Sequence, residues 1–328
     1  MLCVFNGDVM VLSPSWTTYK PQSQLAGHKA IVIHTKQEDE WRLTPSLVEQ
    51  VVMENKLSPH RLLIMCNPDN PTGTSYQAHH LNQLSEVFRK HNIIVLSDEI
   101  YARLSFEGKH ESIAKFYPEG TILSTGISKW ASAGGWRLGY HIYPDKLSEM
   151  RKAVASGASH TYSCAPAPVQ HAALWLYKWT DEVQDYVLHE RRILHAVALY
   201  TFRELTSVGV KVVMSTAGYY MFPNFEILRP ALNARGITTG NQMCDAIMNE
   251  ASVALMAGGP AFLRPVDDLT VRLCYINFDG GKAMQASRKR GTEGPLDDDF
   301  VVEHCRTLME AIQALKKWVE TQLDSERE

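Results

Sequence analysis

A mostly parallel α/β sheet flanked by helices, followed by a smaller C-terminal α+β domain, is the fold this sequence predicts. Short β-branched runs end in small or polar residues and alternate with helical patterns, as parallel sheets require. The 328 residues, 45% of them apolar, can bury one large core or two smaller ones. Strands are expected over residues 9–12, 30–34, 62–66, 93–97, 121–124 and 138–143. Between the third and fourth, Leu81, Leu84, Val87 and Phe88 recur at helical spacing over residues 78–90, which completes a right-handed βαβ unit. Residues 181–205 read as one long helix bridging into a second domain that is strand-rich near 210–213 and 219–222, and residues 301–323 read as the closing helix. The stretch 287–299, with Arg288-Lys289-Arg290 and Asp297-Asp298-Asp299, reads as a solvated loop. The division expected is a large domain over residues 1–190 and a small one over 191–328, with no internal repeat.

A net charge of −3, with both signs interspersed, gives no basic footprint for nucleic acid and no polybasic anchor for a membrane surface. No apolar run approaches the ~20 residues that span a bilayer. Six cysteines lie scattered without C-x-x-C spacing, so reduced thiols in a cytoplasmic setting are expected, with no disulfide framework and no metal site. The amino terminus carries neither a signal peptide nor a transit peptide and reads like the middle of a domain.

Ligands of an open parallel sheet sit beyond the carboxyl ends of its strands. Asn70 (in Asn67-Pro68-Asp69-Asn70-Pro71-Thr72-Gly73), Asp98 (in Ser97-Asp98-Glu99-Ile100-Tyr101) and Lys129 each follow an expected strand within a few residues, so the three should meet on one rim. On residue type alone Lys129 is a solvated surface lysine. Its frame, Gly126-Ile127-Ser128-Lys129 with Gly134-Gly135 beyond, allows close backbone approach to a ligand. A lysine that captures an aldehyde must shed its proton, which an ammonium does readily when desolvated or near other cations. Arg137 offers a planar fork that matches a phosphate; taken alone it is a surface arginine or half of an ion pair. Asp98 can keep a pyridine nitrogen protonated, or merely cap the helix after it. Tyr101 and Asn70 can both bond a phenolic oxygen, and the Asn70 amide can donate to a carboxylate, although Asn-Pro pairs are also ordinary turn chemistry. Trp16, after another strand end, can stack on a ring or fill a core. Arg272 stands in the apolar run Val271-Arg272-Leu273 and needs an anionic partner, for which a substrate carboxylate is preferred to a structural ion pair.

The segment 126–139 resembles the signature around the cofactor-binding lysine of the class I/II aminotransferases, which use pyridoxal phosphate. The broader resemblance runs from about residue 7 to the carboxyl terminus, through Gly218-Tyr219-Tyr220 and Gly258-Gly259-Pro260-Ala261-Phe262 to Arg272. It implies the aspartate aminotransferase fold, in a homodimer that exchanges an amino group between an L-amino acid and a 2-oxo acid. Lys129 would carry the cofactor as an imine and shuttle a proton, Asp98 would face the pyridine nitrogen, and Asn70 and Tyr101 would hold the ring oxygen. Arg137 would hold the phosphate, Trp16 would stack, and Arg272 would take the α-carboxylate. Asn70-Pro71 and Ser13-Pro14 are expected to be cis.

Family members carry a further N-terminal portion, with a phosphate-binding glycine loop, that this sequence does not show. The reading is therefore an isoform, a fragment or an incomplete gene model, with phosphate held chiefly by Arg137 and hydroxyls such as Ser128. Two other functions stay open: a lyase or cyclopropane-forming synthase of the same fold, and an inactive truncated homologue.

Overall fold

The computed structural model describes residues 1–325. Two compact units make up the chain, Met1–Asp69 with Ser75–Val187 and Asn70–Thr74 with Leu188–Glu328.

In the first unit, strands β1 (Asp8–Ser13), β2 (Ala30–His34), β3 (Arg61–Cys66), β4 (Ile93–Asp98), β5 (Thr121–Gly126) and β6 (Gly139–Ile142) form one sheet in the order β2-β1-β3-β4-β5-β6. The pairs among β1 to β5 are parallel; β6 runs antiparallel to β5, with Gly126 opposite Gly139. Strands β1 and β3 are buried at every residue after the first, which is why they read as continuous apolar runs rather than as alternating patterns. Helices α1 (Tyr19–Leu25), α2 (Pro45–Glu54) and α3 (Ala78–Lys90) follow β1, β2 and β3. The predicted stripe of α3 is the face it buries: Leu81, Leu84 and Phe88 join Met10, Leu63, Met65 and Val95 in one apolar cluster. Three more helices close the unit, α4 (Ser148–Thr161), α5 (Ala167–Tyr177) and the first residues of α6 (Asp181–Ser207).

The second unit holds a three-stranded antiparallel sheet of β7 (Tyr220–Met221), β8 (Met256–Ala257) and β9 (Val271–Cys274), ordered β7-β9-β8. Helices α7 (Arg229–Ala234), α8 (Gly240–Ala251), α9 (Gly280–Arg290), α10 (Asp298–His304) and α11 (Arg306–Ser325) complete it. Asn70–Thr74 belongs here because the Gly73 carbonyl accepts from the Thr216 and Ala217 amides at 2.9 and 3.3 Å. Gly73 has a φ of +70°, and a Cβ there would collide with the Tyr220 carbonyl, so only glycine fits. Helix α8 opens on a reciprocal cap: Thr239 Oγ1 accepts from the Gln242 amide at 3.2 Å, and Gln242 Oε1 accepts from the Thr239 amide at 3.1 Å. Thr239→Ala is therefore expected to cost about 1 kcal/mol, read as a lower midpoint in urea with an unchanged slope.

The structure corrects four local expectations. Residues 301–323 are not one helix, because buried Cys305 takes φ −122°, ψ 36° and separates α10 from α11. Residues 210–213 form no strand; Lys211 makes a single bridge to Asn224. The stretch 287–299 is not wholly a loop: Ser287 to Arg290 end α9, Leu296 is buried, and Asp297 caps α10 while pairing with Arg290 at 2.6 Å. Ser13-Pro14 is cis as expected, but the second cis bond is Asn67-Pro68, not Asn70-Pro71.

Candidate active site

Beyond the carboxyl ends of β1, β4 and β5, the first unit gathers Trp16, Asp98, Tyr101 and Lys129. Asp98 ends β4 and is paired in register with Ser124 of β5, two residues short of the turn that leads to Lys129. Its carboxylate is gripped on both sides. Tyr19 Oη donates to Oδ2 at 2.6 Å, and the Ile100 amide donates to Oδ1 at 3.2 Å. Burial holds the acid above the usual carboxylate range, against the pull of the Tyr19 bond, the Ile100 amide and the charge of Lys129. Burial, then the neighbouring Asp98 charge, pushes the Tyr19 phenol well up, so Tyr19 stays a donor.

Lys129 is half-buried, and its Nζ lies 5.6 Å from the centroid of the Tyr101 ring, itself 3% exposed. Trp16 is no core side chain: it is 36% exposed and meets Tyr19 edge-on, ring centroids 5.2 Å apart. Arg137 adopts the left-handed conformation (φ 55°), is exposed, and donates from Nη1 to the Gly134 carbonyl at 2.7 Å. It lines a groove of about 990 Å³ with Tyr140, Tyr162, Cys164, Leu174 and Tyr177.

The second unit brings Asn70 and Arg272 together. Arg272 Nη1 donates to Asn70 Oδ1 at 3.4 Å, and the guanidinium lies 4.6 Å from the Tyr220 ring centroid and 5.3 Å from that of Phe262. Among the described residues no carboxylate pairs with Arg272, so the anionic partner its setting demands does not come from them.

Two contributors escaped the sequence reading. Tyr19 stands one helical turn past Trp16, and that spacing was the only signal. Glu99 was visible in its motif but had no assigned role. It is 4% exposed and accepts from Ser97 Oγ at 3.0 Å and Ser112 Oγ at 2.5 Å, with His110 Nε2 at 2.8 Å. This network anchors the turn between Asp98 and Tyr101.

Residues 1–277 match the family model described as aminotransferase class I and II. The chain is 31% identical over 256 residues to an aspartate aminotransferase of Geobacillus stearothermophilus, covering 76% of this chain and 62% of that one. It is 30% identical over 274 residues to the aspartate aminotransferase of Bacillus subtilis (strain 168), covering 82% and 65%. Thus it spans 62 to 65% of the length of these relatives. Among solved structures, the aspartate aminotransferase from Thermus thermophilus with maleate superposes with a TM-score of 0.74 at 25% identity, over 88% of this chain and 70% of that one. The aromatic aminotransferase from Pyrococcus horikoshii OT3 shares the fold with a TM-score of 0.77 at 24% identity, over 98% and 76%. No described helix is long and apolar enough to cross a membrane.

Proposed function

This chain belongs to the class I and II aminotransferase family, and on that premise we propose that it is a pyridoxal-phosphate-dependent enzyme moving an amino group between an L-amino acid and a 2-oxo acid. The observation that carries the reading is the carboxylate of Asp98, fixed by Tyr19 and Ile100 on the same rim as the Lys129 amine and the Tyr101 phenol. These groups fit the cofactor: a carboxylate to accept from a protonated pyridine nitrogen, an amine for an aldehyde, a phenol to donate to a ring oxygen. When bound, pyridoxal phosphate supplies a ring that withdraws electrons from the substrate α-carbon.

Asp98 would hold a proton on the ring nitrogen; burial makes it a weaker acid, and the Tyr19 bond, the Ile100 amide and the Lys129 charge oppose that shift. Tyr101 and Asn70 would donate to the ring oxygen, Trp16 would cover the ring face, and Arg137 would pair with the phosphate. Lys129 Nζ would accept the proton from the substrate α-carbon and return it. Arg272 would take the substrate carboxylate, held in place by Tyr220, Phe262 and Asn70. The relatives named above are aminotransferases, one of them solved with the dicarboxylate maleate, and this supports transamination over β-elimination or ring closure. A cytoplasmic homodimer accompanies the proposal; six cysteines that form no disulfide suit that compartment.

Treating the purified protein with pyridoxal phosphate and borohydride is expected to add one cofactor to the peptide carrying Lys129, and none to Lys129→Arg. Labelling elsewhere, or nowhere, would sink the reading. Once loading is seen, conversion of a 2-oxo acid to its amino acid by an added amino donor identifies transamination. Ammonia and pyruvate released from cysteine conjugates would point to elimination.

A further inference from the structure

Arg103 lies two residues past Tyr101, in the turn after β4, and its surroundings are unusual for a charged group. Its guanidinium carbon is 3.9 Å from the Trp179 ring centroid, 4.9 Å from that of Trp130 and 6.0 Å from that of Tyr177. Among the described residues its side chain makes no ion pair and no hydrogen bond. The rings also hold one another. Trp130 meets Trp179 at 5.8 Å and 65°, and Tyr177 at 5.7 Å and 72°.

A guanidinium is weakly hydrated and flat, so ring faces can hold it where an ammonium would stay in water. With no carboxylate to orient it, Arg103 is positioned by the aromatic faces and in turn draws them together. Trp130 is the ring that matters, because it follows Lys129 directly. It is 2% exposed, and its Nε1 donates to the carbonyl of Gly126, the last residue of β5, at 2.9 Å. The indole is thus fixed at its nitrogen to the end of the strand and on its face to the turn that carries Tyr101. Lys129 hangs between these two attachments.

We infer that Arg103 is a positioning residue for Lys129, acting through Trp130: the cage locks the loop after β5 against the turn after β4 and so fixes the amine beside the Tyr101 ring. What the positioned amine does rests on the function proposed above; the locking does not.

Amide hydrogen exchange on the cofactor-free protein separates the two. The Ser132 and Ala133 amides bond the Lys129 and Ile127 carbonyls at 3.0 and 3.4 Å and report on the loop. In Arg103→Met they are expected to exchange about tenfold faster than in the unmodified chain, with amides of β1 and β3 unchanged and Arg103→Lys in between. Capture of pyridoxal phosphate on Lys129, trapped with cyanoborohydride, should slow by a similar factor. Unchanged loop exchange in folded Arg103→Met overturns the inference. Faster loop exchange with no capture on Lys129 even in the unmodified chain upholds the locking and removes the proposed chemistry. Should Arg103→Met loosen the whole sheet, Trp130→Phe decides: it keeps an apolar ring but loses the Gly126 bond, and an unperturbed loop there also overturns the inference.

Discussion

Asp98→Asn is expected to lower kcat/KM for amino transfer by roughly a hundred- to a thousand-fold while leaving the protein folded and no less stable. The asparagine can keep both local bonds. Its carbonyl oxygen can accept from the Ile100 amide, and its amide nitrogen can donate to the Tyr19 hydroxyl oxygen, a reversal of the present 2.6 Å bond. What it cannot supply is a negative charge opposite a protonated ring nitrogen. Stability should move the other way. Burial already disfavours the ionised acid, so removing the charge relieves a cost at neutral pH, a relief that fades as the pH falls and the wild-type acid protonates. In the unsubstituted enzyme the same raised pKa predicts that activity falls on acidification sooner than an ordinary aspartate would dictate. Steady-state rates measured beside thermal unfolding test this. An unchanged rate would reduce Asp98 to an acceptor for the turn, and a joint collapse of rate and melting temperature would make its role structural.

Features written into local pattern were the ones the sequence showed. Helix α3 came out residue for residue, because Leu81, Leu84 and Phe88 face one way and the same face is buried. Strands β1 to β5 came out within two residues at each end, because β-branched runs bounded by polar residues have few other uses in a chain of this size. The antiparallel turn of β6 left no trace, since direction depends on the partner and not on composition. Cys305 is compatible with a helix, and only its burial and dihedrals reveal the break. Asp98 and Lys129 stand out by following strand ends, Lys129 within a frame of small residues, and Arg272 by standing in an apolar run. Tyr19 could not, since its partner lies 79 positions away and a tyrosine beside a tryptophan suggests packing first. The Asn70 and Arg272 contact spans 202 positions, yet both ends were legible, because each carried its own reason to face an anion.

Glu190→Gln is expected to stabilise the protein by roughly 4 kcal/mol at pH 8 and to change little at pH 4. Glu190 lies in α6, the helix that the two units share, and its Oε2 is buried without a hydrogen-bond partner among the described residues. Burial pushes its acid up to about 8, with Arg191 opposing. The sign follows from comparing the two states. Below the unfolded value of 4.5 the acid is protonated both folded and unfolded, and glutamine, its neutral isostere, is equivalent. Between that value and about 8 the unfolded chain ionises and the folded one resists, so the wild type loses stability steadily while the variant does not. Above about 8 both states are charged and the gap stops growing. Melting temperatures at several pH values would trace this widening difference, amounting to several degrees at its plateau. A gap that is the same at every pH would mean that the carboxylate reaches water in the folded protein. A gap of the opposite sign would mean that Arg191 pairs with it strongly enough to make the charge an asset. Because α6 runs from Asp181 in the first unit to Ser207 in the second, an acid that resists ionisation there destabilises the helix joining the two units as the pH rises from 4.5 to about 8.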